Sequence, residues 1–204
     1  MDRDVDPKPD WSQVALLIDP DERDESDAAI VGKVAKDGSF KVENVPAGNY
    51  HLIVTSNSNS EAWRDFIVKE VLLNGKDVSD SGFAISGGIV SLDVVASAGG
   101  STIEGNVVDE DGKPVPDVPV VCLPDASRRK RRDIYQQIQT DQQGHFALRG
   151  LNPGEYEVFT LEDAAGDITD PEFVRAHEAL GEIIKLDPSE RKGIVLKLAA
   201  EGQP

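Results

Sequence analysis

One thirteen-residue phrase occurs twice in this 204-residue chain, and it constrains the fold more than any other feature. Residues 38–50 read GSFKVENVPAGNY and residues 144–156 read GHFALRGLNPGEY, so the spacing is 106 residues, from Gly38 to Gly144, without a gap. Self-similarity at a fixed distance indicates a structural unit that is used more than once. The sequence therefore predicts two domains, residues 1–98 and residues 99–204, each of ordinary domain size.

Each copy of the phrase predicts a strand, a tight turn and a second strand. Phe40 and Val42 in the first copy, like Phe146 and Leu148 in the second, recur with the period of two that a half-buried strand requires. A proline and a glycine follow in each copy, and this pair is typical of a turn. We expect Phe146 and Leu148 to lie in the core of the second domain.

Other segments of the chain have the same character. Short apolar stretches with period two lie between turn signals such as Asn-Gly, Asp-Gly and Pro-Gly, around residues 66–73, 90–94, 103–107, 118–122 and 194–198. Many short strands at such spacing favour β-sandwiches. The lone cysteine, Cys122, falls in one of these strands, excludes a disulfide within the monomer, and is predicted to be a small core residue.

One helix stands out from this pattern, in the second domain. Asp170 is a suitable N-cap, a proline follows at the first helical position, and Gly181 is a suitable stop. We expect Phe173, His177 and Leu180 to share its inward face.

Charge and hydropathy exclude several classes of partner. The formal net charge is −17, from 21 Lys plus Arg against 38 Asp plus Glu, and a field of that sign repels nucleic acid and anionic membranes. No apolar run approaches the roughly 20 residues of a membrane span, and residues 1–11 lack the regions of a signal peptide. We therefore predict no nucleic-acid partner and no transmembrane segment.

The first domain departs from the second at its start. An offset of 106 residues places Val120 and Cys122 over Val14 and Leu16, while the turn DEDGKP at residues 109–114 is echoed by DVDPKP at the extreme start of the chain. The first domain is thus predicted to lack its first strand. An unpaired edge beside the strand of Val14 and Leu16 would then seek a further protein segment, because open sheet edges are normally covered.

The second domain carries a family resemblance. The runs GNVVDEDGKPVPDVPVVCLPD and TDQQGHFALRGLNPGEYEVF resemble the carboxypeptidase regulatory-like domain, a small sandwich of the prealbumin-like or Cna-B-like type. The resemblance covers residues 101–204 and, more weakly, residues 11–97. It implies an all-β chain of two tandem Ig-like or prealbumin-like antiparallel β-sandwiches, with one short helix in the second.

Two further segments resemble tandem modules of large exported proteins from soil bacteria such as the Acidobacteria: VLLNGKDVSDSGFAISGG and EDAAGDITDPEFVRAHEALGEIIKL. What the family implies is a noncatalytic module of secreted, periplasmic or outer-membrane proteins, related in fold to starch-binding domains. Other domains of the parent protein are the implied partners.

Stretches that invite catalytic chemistry have simpler interpretations. AISGG at residues 84–88 mimics a nucleophile elbow, but the sequence after it predicts a strand where the elbow needs a helix. His51, His145 and His177 lack ligand spacing, and the acidic residues 19–27 lack the pattern of an EF-hand loop, so a solvated loop is expected there. We predict no catalytic residue, metal ligand or cofactor, and hence no enzyme.

Two features keep ligand binding open. SRRKRR at residues 127–132 is the main basic cluster, able to bind a phosphate, a sulfated glycan or an acidic neighbour. The alternative is an ordinary strand-connecting loop whose charge is balanced by nearby Asp125 and Asp133. Carbohydrate binding would need exposed aromatic side chains. The candidate ligand surface consists of Trp63, Tyr135, Arg128 and Arg129, with Trp11 and Phe159 as further aromatic candidates.

Two classes of function follow: a structural and interaction module, and a carbohydrate-binding module as the alternative. Some Cna-B relatives form a Lys-to-Asn isopeptide crosslink in the core. Asn106 and Lys197 alternate with core positions and should point outward, so no such crosslink is expected.

Overall fold

The computed structural model describes residues 11–22, 30–56, 61–161, 166–178 and 180–198. The chain divides into two compact units, residues 1–98 (unit 1) and residues 99–204 (unit 2). Strands dominate both units, and each unit places two sheets around a hydrophobic core. The all-β sandwich predicted from period-two patterns is confirmed.

Unit 1 contains eight strands in its described part. They are β1 (Val14–Pro20), β2 (Ile30–Val34), β3 (Phe40–Lys41), β4 (Gly48–Ser56), β5 (Ile67–Leu73), β6 (Lys76–Asp77), β7 (Phe83–Ile85) and β8 (Leu92–Ser97), with the four-residue helix α1 (Glu61–Arg64) before β5. One sheet has the order β3-β2-β1-β4-β7 and the other the order β6-β5-β8. Its core is formed by the buried residues Leu16, Ile18, Tyr50, Leu52, Val68, Val71, Val78 and Phe83.

The described residues of unit 2 contain seven strands and one longer helix. They are β9 (Ser101–Val108), β10 (Pro119–Pro124), β11 (Gln136–Gln139), β12 (His145–Leu151), β13 (Gly154–Thr160), α2 (Pro171–His177), β14 (Glu182–Leu186) and β15 (Arg191–Lys197). The sheets have the orders β11-β10-β13-β14 and β12-β9-β15. Among the described strands every sheet pair is antiparallel except β15 with β9, which is parallel, so the antiparallel prediction needs this one correction.

The core of unit 2 matches the alternation in the sequence. Phe146 and Leu148 on β12 are 2% and 0% exposed, and they meet Val120 and Cys122 on β10 across the sandwich core. The predicted core positions of Phe146, Leu148 and Cys122 are confirmed. Burial also raises the pKa of the Cys122 thiol well above its usual range, which makes it a poor nucleophile.

A second hydrophobic cluster lies on the outer face of the four-stranded sheet of unit 2. Val121 and Leu123 on β10 and Phe159 on β13 point away from the main core, yet Val174 of α2 and Tyr135 cover them. Strand β10 is therefore buried on both faces, with all six residues inaccessible. The continuous apolar run VVCL, rather than strict alternation, is the sequence signal of such a strand.

Helix α2 begins as predicted and ends earlier. The side chain of Asp170 accepts a hydrogen bond from the backbone N–H of Glu172, and Pro171 occupies the first turn. The helix ends at His177, so Leu180 lies beyond it and is 51% exposed, which contradicts its predicted inward position. Val174 is the buried residue of the helix instead.

The gap-free offset of 106 residues fails at the strands before the phrase. In unit 1 Leu16 is opposite Val54 and in unit 2 Val120 is opposite Thr160, so Leu16, not Val14, corresponds to Val120. The sequence offset that relates β1 to β10 is thus two residues shorter than the offset of 106 residues that relates β4 to β13. The error left the face assignment intact, because a shift of two residues preserves the side of a strand.

The predicted unpaired edge beside β1 is also wrong. Strand β1 is hydrogen-bonded to β2 on one side and β4 on the other. The first strand of unit 2, β9, pairs with β12 and β15 in the opposite sheet and never contacts the edge of β10. Whether unit 1 has a first strand of its own concerns residues 1–10, which lie outside the described residues, so that part stays a prediction.

A different strand pairs with the last strand of unit 1. Strand β8 is joined by β5, antiparallel, whereas its counterpart β15 is joined by β9, parallel. Strand β3 pairs with β2, and Phe40 faces Val34 in the five-stranded sheet, while Phe146 pairs in the three-stranded sheet. Phe40 and Phe146 therefore do not occupy equivalent pairings, contrary to the expectation from the repeat.

No helix in the described part of the chain is long and apolar enough to cross a membrane.

Candidate functional site

The basic stretch of unit 2 folds into consecutive tight turns that separate inner from outer side chains. Backbone hydrogen bonds run from Arg128 N to Asp125 O at 3.0 Å, from Arg131 N to Arg128 O at 2.9 Å, and from Ile134 N to Arg131 O at 3.4 Å. Turns of this kind bring every third residue to the same side. Arg128 and Arg131 are accordingly buried, with 7% and 5% exposure.

Arg128 holds the loop onto the end of the sandwich. Its Nε donates to Asp125 Oδ2 at 2.5 Å, its Nη1 to the carbonyl of Pro153 at 3.1 Å, and its Nη2 to the carbonyl of Glu155 at 2.6 Å. The guanidinium carbon lies 4.7 Å from the centroid of the Tyr156 ring, a cation–π distance. The donors of Arg128 are directed at these internal acceptors, so its predicted place on an exposed ligand surface is corrected.

The pKa values around this arginine fit a permanently charged pair. Burial alone would raise the pKa of Asp125, but hydrogen bonds from Ser127 and Arg128 lower it below its usual value. Burial raises the pKa of Tyr156 to about 12, although the charge of Arg128 opposes the rise. At neutral pH the group therefore consists of a carboxylate, a guanidinium and a neutral phenol.

Gly154 and Tyr156, at the end of the second repeated phrase, both lie against the Arg128 guanidinium. Tyr156 donates its hydroxyl to the carbonyl of Asn152 at 3.0 Å, and in unit 1 Tyr50 donates to the carbonyl of Pro46 at 3.1 Å. Gly154 has φ +139°, and a Cβ there would lie 2.5 Å from Arg128 Nη2. The glycine of the second phrase is thus required by the close approach of the arginine as well as by its backbone conformation.

Unit 1 has a different basic partner at the matching aspartate. Asp21 N donates to Asn49 O and Asp125 N donates to Glu155 O, which makes the two aspartates equivalent. Asp21 Oδ1 lies 2.7 Å from Nδ1 of His51, a histidine that is 3% exposed. The other ring nitrogen of His51 is 3.2 Å from the carbonyl of Asp80, so both nitrogens are occupied internally.

The outer arginine of the loop, Arg129, faces a small notch beside helix α2. The notch has a volume of about 330 Å³ and is lined by Arg129, Tyr135, Thr169, Pro171, Val174, Arg175 and Glu178. Arg129 Nη1 donates to Glu178 Oε2 at 2.7 Å, and the two side chains are 28% and 46% exposed. Arg129 Nε is buried and has no hydrogen-bond partner among the described residues, an arrangement that costs about 1–3 kcal/mol.

The predicted aromatic surface is not assembled as expected. Tyr135 is 9% exposed and donates its hydroxyl to the carbonyl of Arg129 at 3.0 Å, and Phe159 is 4% exposed. Trp63 belongs to unit 1, where its half-buried ring lies 4.3 Å from the ring of Phe66. Neither Tyr135 nor Phe159 offers a flat face for a sugar, while ligand binding at Trp63 and Arg129 stays a prediction.

The remaining candidates have structural explanations. Residues 84–88 form the end of β7 and a bend, and β8 follows, so the interpretation as a turn is confirmed. His145 is exposed, and the ring of His177 lies 4.1 Å from Phe173 with Nδ1 near a backbone carbonyl. No group of three or more His, Cys, Asp or Glu side chains within the described ranges is arranged to hold a metal ion.

Two other expectations concern loops and strands. Asn106 is partly exposed, with Nδ2 donating to the carbonyl of Gln143, and Lys197 is exposed, so both point outward as predicted. Within the acidic stretch Asp19 is 1% exposed rather than solvated, and residues 23–27 lie outside the described residues.

Sequence reasoning missed several of the charged residues that lie around the buried and half-buried basic side chains. Asp21, Arg175 and Glu178 were not singled out, and Asp125 was noted only as a nearby balancing charge. The three-residue spacing of Asp125, Arg128 and Arg131 is the signal that could have identified the buried arginines. Arg175 and Glu178 lie three residues apart around the end of α2, a spacing that places side chains next to each other.

Comparison with known proteins finds a family match within unit 2. Residues 102–166 match the family model of the carboxypeptidase regulatory-like domain. No curated protein matches the chain significantly. The matched range begins in β9 and runs past β13, so it contains the basic loop and the Arg128–Asp125 pair.

Matches among solved structures come from several classes of bacterial protein. The minor pilin GBS52 of Streptococcus agalactiae is 14% identical, with 94% of this chain and 85% of that chain covered and a TM-score of 0.36. A putative carbohydrate-binding protein of Pseudomonas aeruginosa is 15% identical over 48% of this chain and 87% of that chain, with a TM-score of 0.32. Catechol 1,2-dioxygenase of an Acinetobacter species is 16% identical over 48% and 52%, with a TM-score of 0.28. At these values the likenesses carry no argument about function.

Proposed function

We propose that the chain is a noncatalytic structural and interaction segment of an exported or cell-envelope protein, built from two related sandwich modules. The observation that carries the proposal is the use of two buried basic side chains. Arg128 and His51, at equivalent ends of the two sandwiches, bind aspartates and backbone carbonyls. Groups engaged in this way fix loops to the sheets, and they do not converge on a reactive centre.

The tandem arrangement is supported by matched details in the two units. Each has a tyrosine whose hydroxyl binds the carbonyl four residues earlier, and each has an aspartate at the end of the strand that pairs with the strand of this tyrosine. The match of residues 102–166 to the carboxypeptidase regulatory-like family supports an interaction role and an extracytoplasmic location. The partners of this role are other domains or segments of the parent protein.

Single-molecule force spectroscopy of the full chain tests the tandem design. Two independent modules of 98 and 106 residues predict two unfolding events, each releasing about 350 Å of contour length. One event that releases the whole chain at once would contradict the proposal.

Carbohydrate binding is the second candidate, because two of the predicted aromatic candidates, Trp11 and Trp63, are partly accessible, and both lie in unit 1. A neutral-glycan array probed with the chain and with Trp63→Ala separates the two functions. Binding that depends on Trp63 would favour the carbohydrate module, and an array without signal would favour the structural segment.

A further inference from the structure

We propose that the notch between the basic loop and helix α2 of unit 2 binds a sugar acid, meaning a ring that carries both a carboxylate and hydroxyl groups. This site is independent of Trp63 and of the structural role proposed above. It is defined by Arg129, Arg175, Glu178 and Thr169 around an apolar floor of Tyr135 and Val174.

Two guanidinium groups line one small depression in a chain of net charge −17. Arg175 is exposed on α2, and no carboxylate in the described part of the chain forms an ion pair with it. Arg129 is the only other cation among the described residues that line the notch. Glu178 forms an ion pair with just one nitrogen of Arg129. The pair of arginines can therefore accept one further negative charge.

Four neighbouring aspartates are already engaged. Asp125 binds Arg128 and Asp133 binds Arg131, while Asp167 and Asp170 accept backbone N–H groups before and at the start of α2. Among the described residues, Glu178 is the one carboxylate that lines the notch. A carboxylate is the expected ligand group, because a guanidinium presents paired donors that match its two oxygens.

The hydrogen bonding of Arg129 favours exchange of its partner. Its Nε is buried without a partner in the present position, although Nη1 holds Glu178. Leaving a buried N–H unsatisfied is unfavourable. A ligand carboxylate that drew Arg129 toward the notch could satisfy Nε and Nη together and release Glu178 to accept a hydroxyl.

The rest of the notch suits a hydroxylated ring. The oxygen of Thr169, which donates its hydrogen to Asp167, and the carboxylate of Glu178 are acceptors for ligand hydroxyls. Pro171, which is exposed and also lines the notch, offers apolar contact to ring C–H groups beside the largely buried Tyr135 and Val174. A volume of about 330 Å³ lies at the small end of ligand sites, so a single ring is the expected size.

Titration of the ¹⁵N-labelled full chain with sodium glucuronate tests the site. Saturable shifts of the amides from Val174 to Glu178 are expected, whereas glucose and acetate at the same concentration should leave them unchanged. Sodium chloride is matched in all three series, because exposed charges are screened by salt.

Three variants sharpen the test. Arg175→Gln should weaken glucuronate binding about tenfold, since it removes a charged donor. Glu178→Gln should strengthen binding several-fold, because it removes a competing negative charge and keeps an acceptor. Arg191→Gln is the matched control, with an exposed arginine on β15 away from the notch, and should bind like the parent.

Four results would overturn the proposal. They are no shifts at concentrations up to about 100 mM, unchanged affinity in Arg175→Gln, equal effects of acetate and glucuronate, or shifts that spread over exposed cations in general. Equal effects of acetate would show a simple carboxylate site of the kind an acidic peptide side chain could fill. Opposite changes in the Arg175 and Glu178 variants, with an unchanged control, would establish it.

Discussion

Replacement of Arg128 by methionine should destabilise unit 2 by about 3 kcal/mol. The guanidinium makes three hydrogen bonds, to Asp125 and to the carbonyls of Pro153 and Glu155, at 2.5 to 3.1 Å. Removing one partner of a buried ion pair costs about 3–5 kcal/mol. The lower end applies here, because the Asp125 side chain is 30% exposed and keeps two donors from Ser127.

Methionine preserves most of the apolar stem, so the measured loss reports on the charged head and not on packing. Urea unfolding followed by circular dichroism gives the free energy, and amide exchange of β10 and β13 locates the loss in unit 2. Arg128→Lys should recover little of it, because an ammonium cannot reproduce the fixed fork of a guanidinium stacked on a ring. Arg191→Met, on an exposed strand position, is the control and should cost under about 0.5 kcal/mol.

The reasoning would be refuted if Arg128→Met matched its control. Such a result would mean that the guanidinium is solvated in solution and that the loop is held by its backbone turns alone.

Two further predictions concern the hydrophobic core and the loss of folding stability at alkaline pH. Phe146→Ala should cost about 3–5 kcal/mol, since the ring is 2% exposed, and a loss equal to that of Arg191→Ala in urea unfolding would contradict its place in the core. The pKa of Tyr156, raised by burial from 10.0 to about 12, means that the folded state favours the neutral phenol. Its contribution is therefore complete below pH 10 and is lost as pH rises towards 12, by an amount on the order of 2–3 kcal/mol. Tyr156→Phe should reduce this loss of stability at alkaline pH. A tyrosine absorbance titration in which all three phenols ionise together near pH 10 would rule the explanation out.

The strands and the core of unit 2 were predictable because several local signals agree there. Period-two alternation at Phe146 and Leu148, a Pro-Gly turn and a tyrosine all specify the same strand pair. Only one face of β10 was foreseen as buried, however. Val121 and Leu123 are covered by a helix and a loop that are distant in sequence, and alternation within one strand carries no information about such covering elements.

The fate of the basic cluster could not be read from charge alone. Six consecutive residues, SRRKRR, look like a solvated patch, but tight turns with a period of three bury Arg128 and Arg131 and leave Arg129 outside. The choice depends on which arginines can reach an aspartate, since only a paired charge is tolerated in a buried position. Asp125 and Asp133 provide those partners.

A different strand lies beside the last strand in each unit, and this explains why the repeat predicted one sheet of each sandwich better than the other. The tyrosine strand and its partner form one sheet with a closely similar register in both units, so the phrase and the strand before it specify the same structure twice. The opposite sheet needs a strand beside β8, and the segment between β4 and β7 supplies it as β5, with Val68 and Val71 in the core. Strand β5, an antiparallel partner from the middle of unit 1, thus takes the place beside the last strand that β9, a parallel partner from the start of unit 2, has in unit 2. Because β1 is paired on both sides, any strand added to unit 1 from elsewhere has to join at an outer strand, and a partner sought beside Val14 and Leu16 would find no free edge.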